Sequence, residues 1–129
     1  MALTLKDSDA SDVVFQLTGF NGMSQTAADV ANTASFKRTL ATKHTMPSGT
    51  TDGRHLISAN VRRYDAVSGK WGSATVNLTV AHDSSAIILA DDIEDILAIV
   101  INYFSKNVAA MPAGFNTEVL KFITGISPV

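Results

Sequence analysis

The sequence predicts an α+β fold: an N-terminal β-hairpin and an antiparallel sheet of about five strands, then two C-terminal helices packed on one face of that sheet. Three observations predict it. Apolar residues recur at every second position through residues 13–17, 57–61 and 74–80, the pattern of strands with one packed and one wet side. The apolar period lengthens to that of a helix only after residue 90. Strands followed by segregated helices make a layered α+β domain.

The chain has 129 residues, enough for a single domain (1–129) with a modest core of its own. Its composition, 46% apolar and 17% charged, is that of a globular protein. The absence of cysteine removes disulfides, thiol catalysis and thiolate metal sites from consideration. The opening MALTLKDSD has no basic region leading into an apolar one. The most apolar run, residues 86–104, carries Asp91, Asp92, Glu94 and Asp95. A soluble chain with no secretory signal and no membrane partner is therefore expected.

Residues 1–18 are expected to form the hairpin. Leu3 and Leu5 belong to a short strand, KDSDAS turns the chain, and Val13, Phe15 and Leu17 then alternate with Val14, Gln16 and Thr18. Residues 19–35 are small and polar with little periodicity and read as loop, with room for a short strand or one helical turn within 27–32.

Residues 36–82 read as a meander of three strands, FKRTLATKHTM, RHLISANVRRYDA and WGSATVNLTVA, separated by PSGTTDG and VSGK turns. In the first, Phe36, Arg38, Leu40, Thr42, His44 and Met46 share one parity, and Lys37, Thr39, Ala41, Lys43 and Thr45 the other. In the second, Ile57, Ala59 and Val61 alternate with Ser58, Asn60 and Arg62. In the third, Ala74, Val76, Leu78 and Val80 alternate with Thr75, Asn77 and Thr79. Ile57, Val61, Val76, Leu78 and Val80 are expected to carry the helices.

Residues 90–126 hold those helices. Asp91 and Asp92 complement the dipole at the start of the first. Ile93, Ile96, Leu97, Ile99, Val100, Ile101, Tyr103 and Phe104 span an arc of roughly 200°, where a helix resting on one sheet needs nearer 100°. The excess requires a second neighbour, either the last helix or another subunit. After residue 107 and MPAGF, Asn116 is the expected N-cap of a helix striped by Val119, Leu120, Phe122 and Ile123 and stopped by Gly125 and Pro128. One sheet with two helices is thin, so two copies are expected to interlock, each lending helices to the other's sheet.

The charge is unevenly placed. Residues 36–70 hold seven of the ten bases against Asp52 and Asp65, a net +5, and the rest of the chain nets −7. Location outweighs the overall −2, because an exposed charge acts over roughly 8–10 Å. If the strands pair in the simplest register, Lys37, Thr39, Lys43, Thr45, Ser58, Asn60, Arg62, Thr75, Asn77 and Thr79 share one surface. Lysine and arginine neutralise phosphates, while Ser, Thr and Asn hydrogen-bond to phosphates and base edges. The same surface also reads as an ordinary solvated sheet face. It has few aromatic residues, unlike a base-stacking platform.

His44, His55 and His82 lie on strands without metal-ligand spacing and read as polar strand-edge residues. The acids at 91–95 lack the spacing of a calcium loop and already serve a helix start. There is no Gly-rich phosphate loop, GxSxG or HExxH. The chain is expected to be no enzyme, with no cofactor, no metal and no small-molecule substrate.

SFKRTLATKHT, RHLISANVRR and SATVNLTV, followed by DDIEDILAIVINYFSK and FNTEVLKFITGI, together resemble the coat proteins of single-stranded RNA bacteriophages, the levivirus group. The likeness covers most of the chain as topology and length. It implies a homodimer that assembles into an icosahedral capsid, found in the virion and made in the bacterial host cytoplasm. It also implies a sheet facing the capsid interior, where it binds genomic single-stranded RNA and a hairpin that represses replicase translation, with the helices facing outward. Carried over by position, the RNA contacts are Lys37, Thr39, Lys43, Thr45, Ser58, Asn60, Arg62, Thr75 and Asn77. Ala41 stands where the family often has a hydrogen-bonding serine, and Thr75 where a base-stacking tyrosine can occur. The turn at 67–72 matches the loop that clusters at capsid symmetry axes. Two other readings stand beside this one: a cellular dimeric nucleic-acid-binding module, and a small-ligand binder with Arg38 or His44 in its pocket.

Overall fold

Six strands, each hydrogen-bonded to the next in sequence, form one antiparallel sheet in the computed structural model, which describes residues 2–105 and 114–125. They are β1 (Ala2–Lys6), β2 (Asp12–Asn21), β3 (Ser24–Asp29), β4 (Phe36–Thr45), β5 (Gly53–Asp65) and β6 (Lys70–His82). Two helices follow, α1 (Ala90–Ser105) and α2 (Phe115–Ile123). The architecture is the expected α+β one, with six strands in place of about five.

The extra strand is β3, inside the segment expected to be loop. Its sequence SQTAAD carries no large apolar residue, so burial falls on small groups: Ala27 and Asp29 are both buried. What ties it to the sheet is polar. Asp29 Oδ2 accepts from Arg38 Nε and Nη2 on β4, both at 2.8 Å, and Asp29 Oδ1 accepts from the Ala31 N–H. Beyond the strand's end, Asn32 imitates one more ladder step: its Oδ1 accepts from the Arg38 N–H and its Nδ2 donates to the Arg38 carbonyl.

The N-terminal hairpin is present as β1 and β2, with Leu3 opposite Phe15 and Leu5 opposite Val13. Asp7 shapes its turn by accepting from the backbone N–H groups of Asp9 and Ser11. β2 runs further than expected, through a bulge between Leu17 and Gly19, to pair with β3. Val13, Phe15, Ala27 and Leu40 form the buried apolar cluster, with Leu3 and Ile57 packed against it.

α2 sits on β5 and presents its Phe122 ring to His44 and His55 at 5.5 and 5.7 Å. It ends in Gly125 at φ +81°, where a Cβ would strike Met23 and crowd Met46. Its N-cap is Gly114 and not Asn116, whose side chain instead donates to Asp91 at the start of α1. Asp92 Oδ2 accepts from the Leu89 N–H, half of a capping box, so both acids have structural work at that helix start. The expected stop at Pro128 and the linker around 107–113 lie outside the described residues.

α1 packs chiefly on α2. Among the described residues of its wide apolar arc only Ile93 is buried, while Ile96, Ile99, Val100 and Tyr103 stay exposed. Between α1 and β6 runs an open cleft of about 440 Å³, lined by Leu78, Val80, Ile93, Ile96, Leu97 and Val100. The expectation that Val76 carries a helix fails within one chain, because it is 73% exposed. No described helix is long and apolar enough to cross a membrane.

Candidate nucleic-acid interface

Register decides which side chains share a surface. Across β4 and β5, Lys37 faces Arg62, Thr39 faces Asn60, Ala41 faces Ser58 and Thr45 faces Arg54. Across β5 and β6, Asn60 faces Thr75, Ser58 faces Asn77 and Arg62 faces Ser73. Cross-strand partners point to the same side of a sheet, and so do residues two apart. All ten residues singled out in the sequence therefore lie on one side, turned away from the helices. Ser24 and Thr26 of β3 continue that side past Lys43 and Ala41.

The side is polar, and across β4–β6 its charge has one sign. Lys37, Lys43, Arg54 and Arg62 belong to it, and among the described residues of β4–β6 no carboxylate does. Asp65, with its partner Lys70, falls on the opposite parity. Asn60 is held in place: its Nδ2 donates to Thr75 Oγ1 at 2.8 Å, the Ala74 carbonyl at 3.1 Å and Ser73 Oγ at 3.2 Å. That leaves its Oδ1 as an oriented acceptor beside the hydroxyls of Ser73 and Thr75. The arrangement offers cations for phosphates and fixed polar groups for sugar or base edges.

The meander's net +5 does not all belong here. Arg38 and Arg63 take the helix side, each over the Phe36 ring, at 5.4 and 4.6 Å. The members of the polar side missed in the sequence include Arg54, Tyr64, Trp71 and Ser73. Tyr64 and Trp71 face each other across the β5–β6 hairpin. Counting back by twos from Thr75 reaches Trp71, so the alternation already held that signal.

Two of the three histidines need correction. His44 and His55 are not strand-edge residues but lie inside the sheet on β4 and β5, His44 buried and His55 wholly so, and form one row with His82 at the end of the outer strand β6. His44 Nδ1 lies 3.0 Å from His55 Nδ1, and His55 Nε2 lies 2.8 Å from His82 Nε2. His82 Nδ1 lies 3.2 Å from the Asp83 carbonyl, which can only accept. One neutral arrangement satisfies these three contacts: His82 donates to Asp83, His55 Nε2–H donates to His82, and His44 Nδ1–H donates to His55, which leaves His44 Nε2 buried without a hydrogen-bond partner. Gly53 makes room for the row, since a Cβ there would come within 2.8 Å of His82 Nε2.

Burial, then the neighbouring imidazoles, push the His55 pKa down to about 4. Burial also lowers that of His44, with the Phe122 backbone pulling the other way. His44 and His55 are thus held neutral under Phe122 of α2. Among the described residues no group of three His, Cys, Asp or Glu side chains is placed to hold a metal ion.

A meander of six strands with two C-terminal helices, one polar side and one helix side, has clear counterparts among solved structures. The virus-like particle of bacteriophage GQ-907 superposes with a TM-score of 0.63 at 15% identity, over 78% of this chain and 79% of that one. The chain has the levivirus coat-protein fold. The virus-like particle of Beihai levi-like virus 21 matches at TM-score 0.63 and 11% identity, over 99% of this chain and 95% of its own. The coat protein of bacteriophage EMS014 matches at TM-score 0.61 and 12% identity, over 100% and 97%. Identities this low carry the coat-protein fold alone. No protein-family model matches the chain, and no curated protein matches it by sequence.

Proposed function

We propose that this chain is a structural coat subunit, and not an enzyme, that dimerises, assembles into an icosahedral capsid and packages single-stranded RNA on the polar side of its sheet. The observation that carries the reading is the incompleteness of the helix side in one copy. Val76 is open there, α1 leaves Ile96, Ile99 and Val100 exposed, and β6, thirteen residues long, is the outer strand of the sheet. Two β6 edges that pair antiparallel make one continuous sheet, and each α1 then reaches the partner's uncovered half. Burying each exposed aliphatic side chain contributes about 1–2 kcal/mol, which a dimer of this kind collects several times over.

In the assembled shell the polar side faces inward. Lys37, Lys43 and Arg62 bind phosphates, and Thr39, Thr45, Ser58, Asn60, Thr75 and Asn77 bind phosphate oxygens, sugars or base edges. A genomic hairpin held on this face would repress replicase translation. The turn at the β5–β6 hairpin, with Val67 fully exposed at its tip, meets its copies at symmetry axes. The capsid reading draws support from the particle-forming proteins that share the fold.

Negative-stain microscopy of the purified protein, read with its 260/280 nm absorbance ratio, tests the whole proposal. RNA-filled particles are expected. A monomer without nucleic acid rejects the proposal, and a stable dimer that binds RNA without forming particles favours the nucleic-acid-binding module instead.

A further inference from the structure

Trp71 and Tyr64 stand together at the hairpin end of the polar side, their ring centroids 5.5 Å apart and tilted by 52°. Two cations flank the indole: the Arg62 guanidinium lies 4.8 Å from the ring centre and Lys37 Nζ lies 5.7 Å from it. Among the described residues neither cation is paired with a carboxylate. Each of the two residues remains 40% exposed. Two large rings left open to solvent beside two such cations stand out on a face otherwise built mainly of Thr, Ser, Asn and basic residues. An exposed aromatic π-face takes a nucleobase, and the two cations that lie over this ring in the free protein are within reach of the phosphates on either side of that base. The cluster lies four residues along β6 from Thr75, about 13 Å at strand rise, so it is separate from the Asn60–Thr75 group.

We propose that Trp71, with Tyr64 beside it, is a stacking site for one unpaired nucleobase of bound single-stranded RNA, with Arg62 and Lys37 holding the flanking phosphates. This rests on the reading that the polar side binds RNA, and it adds a sequence-tolerant anchor to a face whose other contacts are hydrogen bonds and charges. Stacking neutralises no phosphate, so the ring's contribution is independent of salt, in contrast to that of the two cations.

Trp71 is the chain's single tryptophan, so its fluorescence reports this site and no other. The test titrates the purified protein with a short unstructured oligoribonucleotide, following Trp71 emission and, independently, RNA retention on filters. Saturating RNA is expected to quench the emission strongly. Trp71→Ala is expected to lower affinity about tenfold at every salt concentration, the loss of one stacked base, while Trp71→Phe keeps most of the affinity. If RNA is retained but the emission does not change, or if Trp71→Ala binds as the parent does, the stacking site is wrong while the RNA-binding face stands. If the parent protein retains no RNA, both are wrong. Should Trp71→Ala fail to fold, quenching in the parent and the affinity of Trp71→Phe decide the matter.

Discussion

Adjacent residues of the same strands face opposite ways and do opposite work. On the helix side, β4 and β5 bury His44 and His55 and half-bury Arg38, so their polar groups are neutralised or paired internally: imidazole to imidazole, guanidinium to Asp29. On the polar side Lys37, Lys43, Arg54 and Arg62 meet no carboxylate from β4–β6. The same residue types are thus paired internally on one side and stand without a carboxylate partner from β4–β6 on the other. Under the proposed function, partnering, more than composition, separates a structural charge from one that binds RNA.

The comparison breaks most sharply at Val76, on the bare half of the helix side. In an isolated chain a carboxylate at a site 73% exposed costs little. Under the proposed dimer, Val76→Asp buries an unpaired charge, and light scattering at micromolar concentration is expected to find monomers where the parent gives dimers or particles.

Arg38→Ala probes the paired charge. It leaves Asp29 buried with one backbone N–H for a partner, and a loss of about 3 kcal/mol in urea unfolding is expected. A change below about 1 kcal/mol would mean that the pair adds nothing beyond an exposed salt bridge.

The histidine row carries a pH dependence of definite sign. Unfolded histidine titrates near pH 6.5, while burial holds the folded pKa of His55 at about 4 and lowers that of His44. Between those values the unfolded chain binds more protons, so stability is complete above pH 6.5 and declines as the pH falls toward about 4. Urea midpoints measured from about pH 7.5 to about pH 4.5 check this, and a flat profile across that range contradicts a neutral row.

The smallest effect on the fold belongs to the polar side. Lys43→Ala combined with Arg62→Ala is expected to leave the dimer and its unfolding midpoint within about 0.5 kcal/mol of the parent. RNA affinity should fall, and the slope of log affinity against log salt should flatten by about 0.7 for each phosphate no longer neutralised. Unchanged RNA packaging in this variant assigns the cargo to another surface.

Much of this could be read from the residues in order. Val13 and Phe15, Ile57 to Val61 and Ala74 to Val80 state their strands through strict alternation, and residues 93–103 state a helix through their apolar arc. Parity alone assigned all ten polar-side residues to one surface, because a turn-linked antiparallel meander leaves few registers that keep one side apolar. β3 was illegible for a physical reason. SQTAAD has no hydrophobic period, and its place comes from an ion pair and an asparagine bridge to Arg38, which are contacts across the fold.

By itself, then, the sequence determined the order of strands and helices, the two-sided character of the meander and the stripe of bases on it. The tertiary structure alone decided that Arg38 pairs with Asp29 and that Arg38 and Arg63 both lie over the Phe36 ring. It also decided that His44, His55 and His82 touch, and that Trp71 and Tyr64 meet beside Arg62. Alternation records which side a residue takes along its own strand, but contact between strands depends on register, and register is set by turns and packing that no single strand contains.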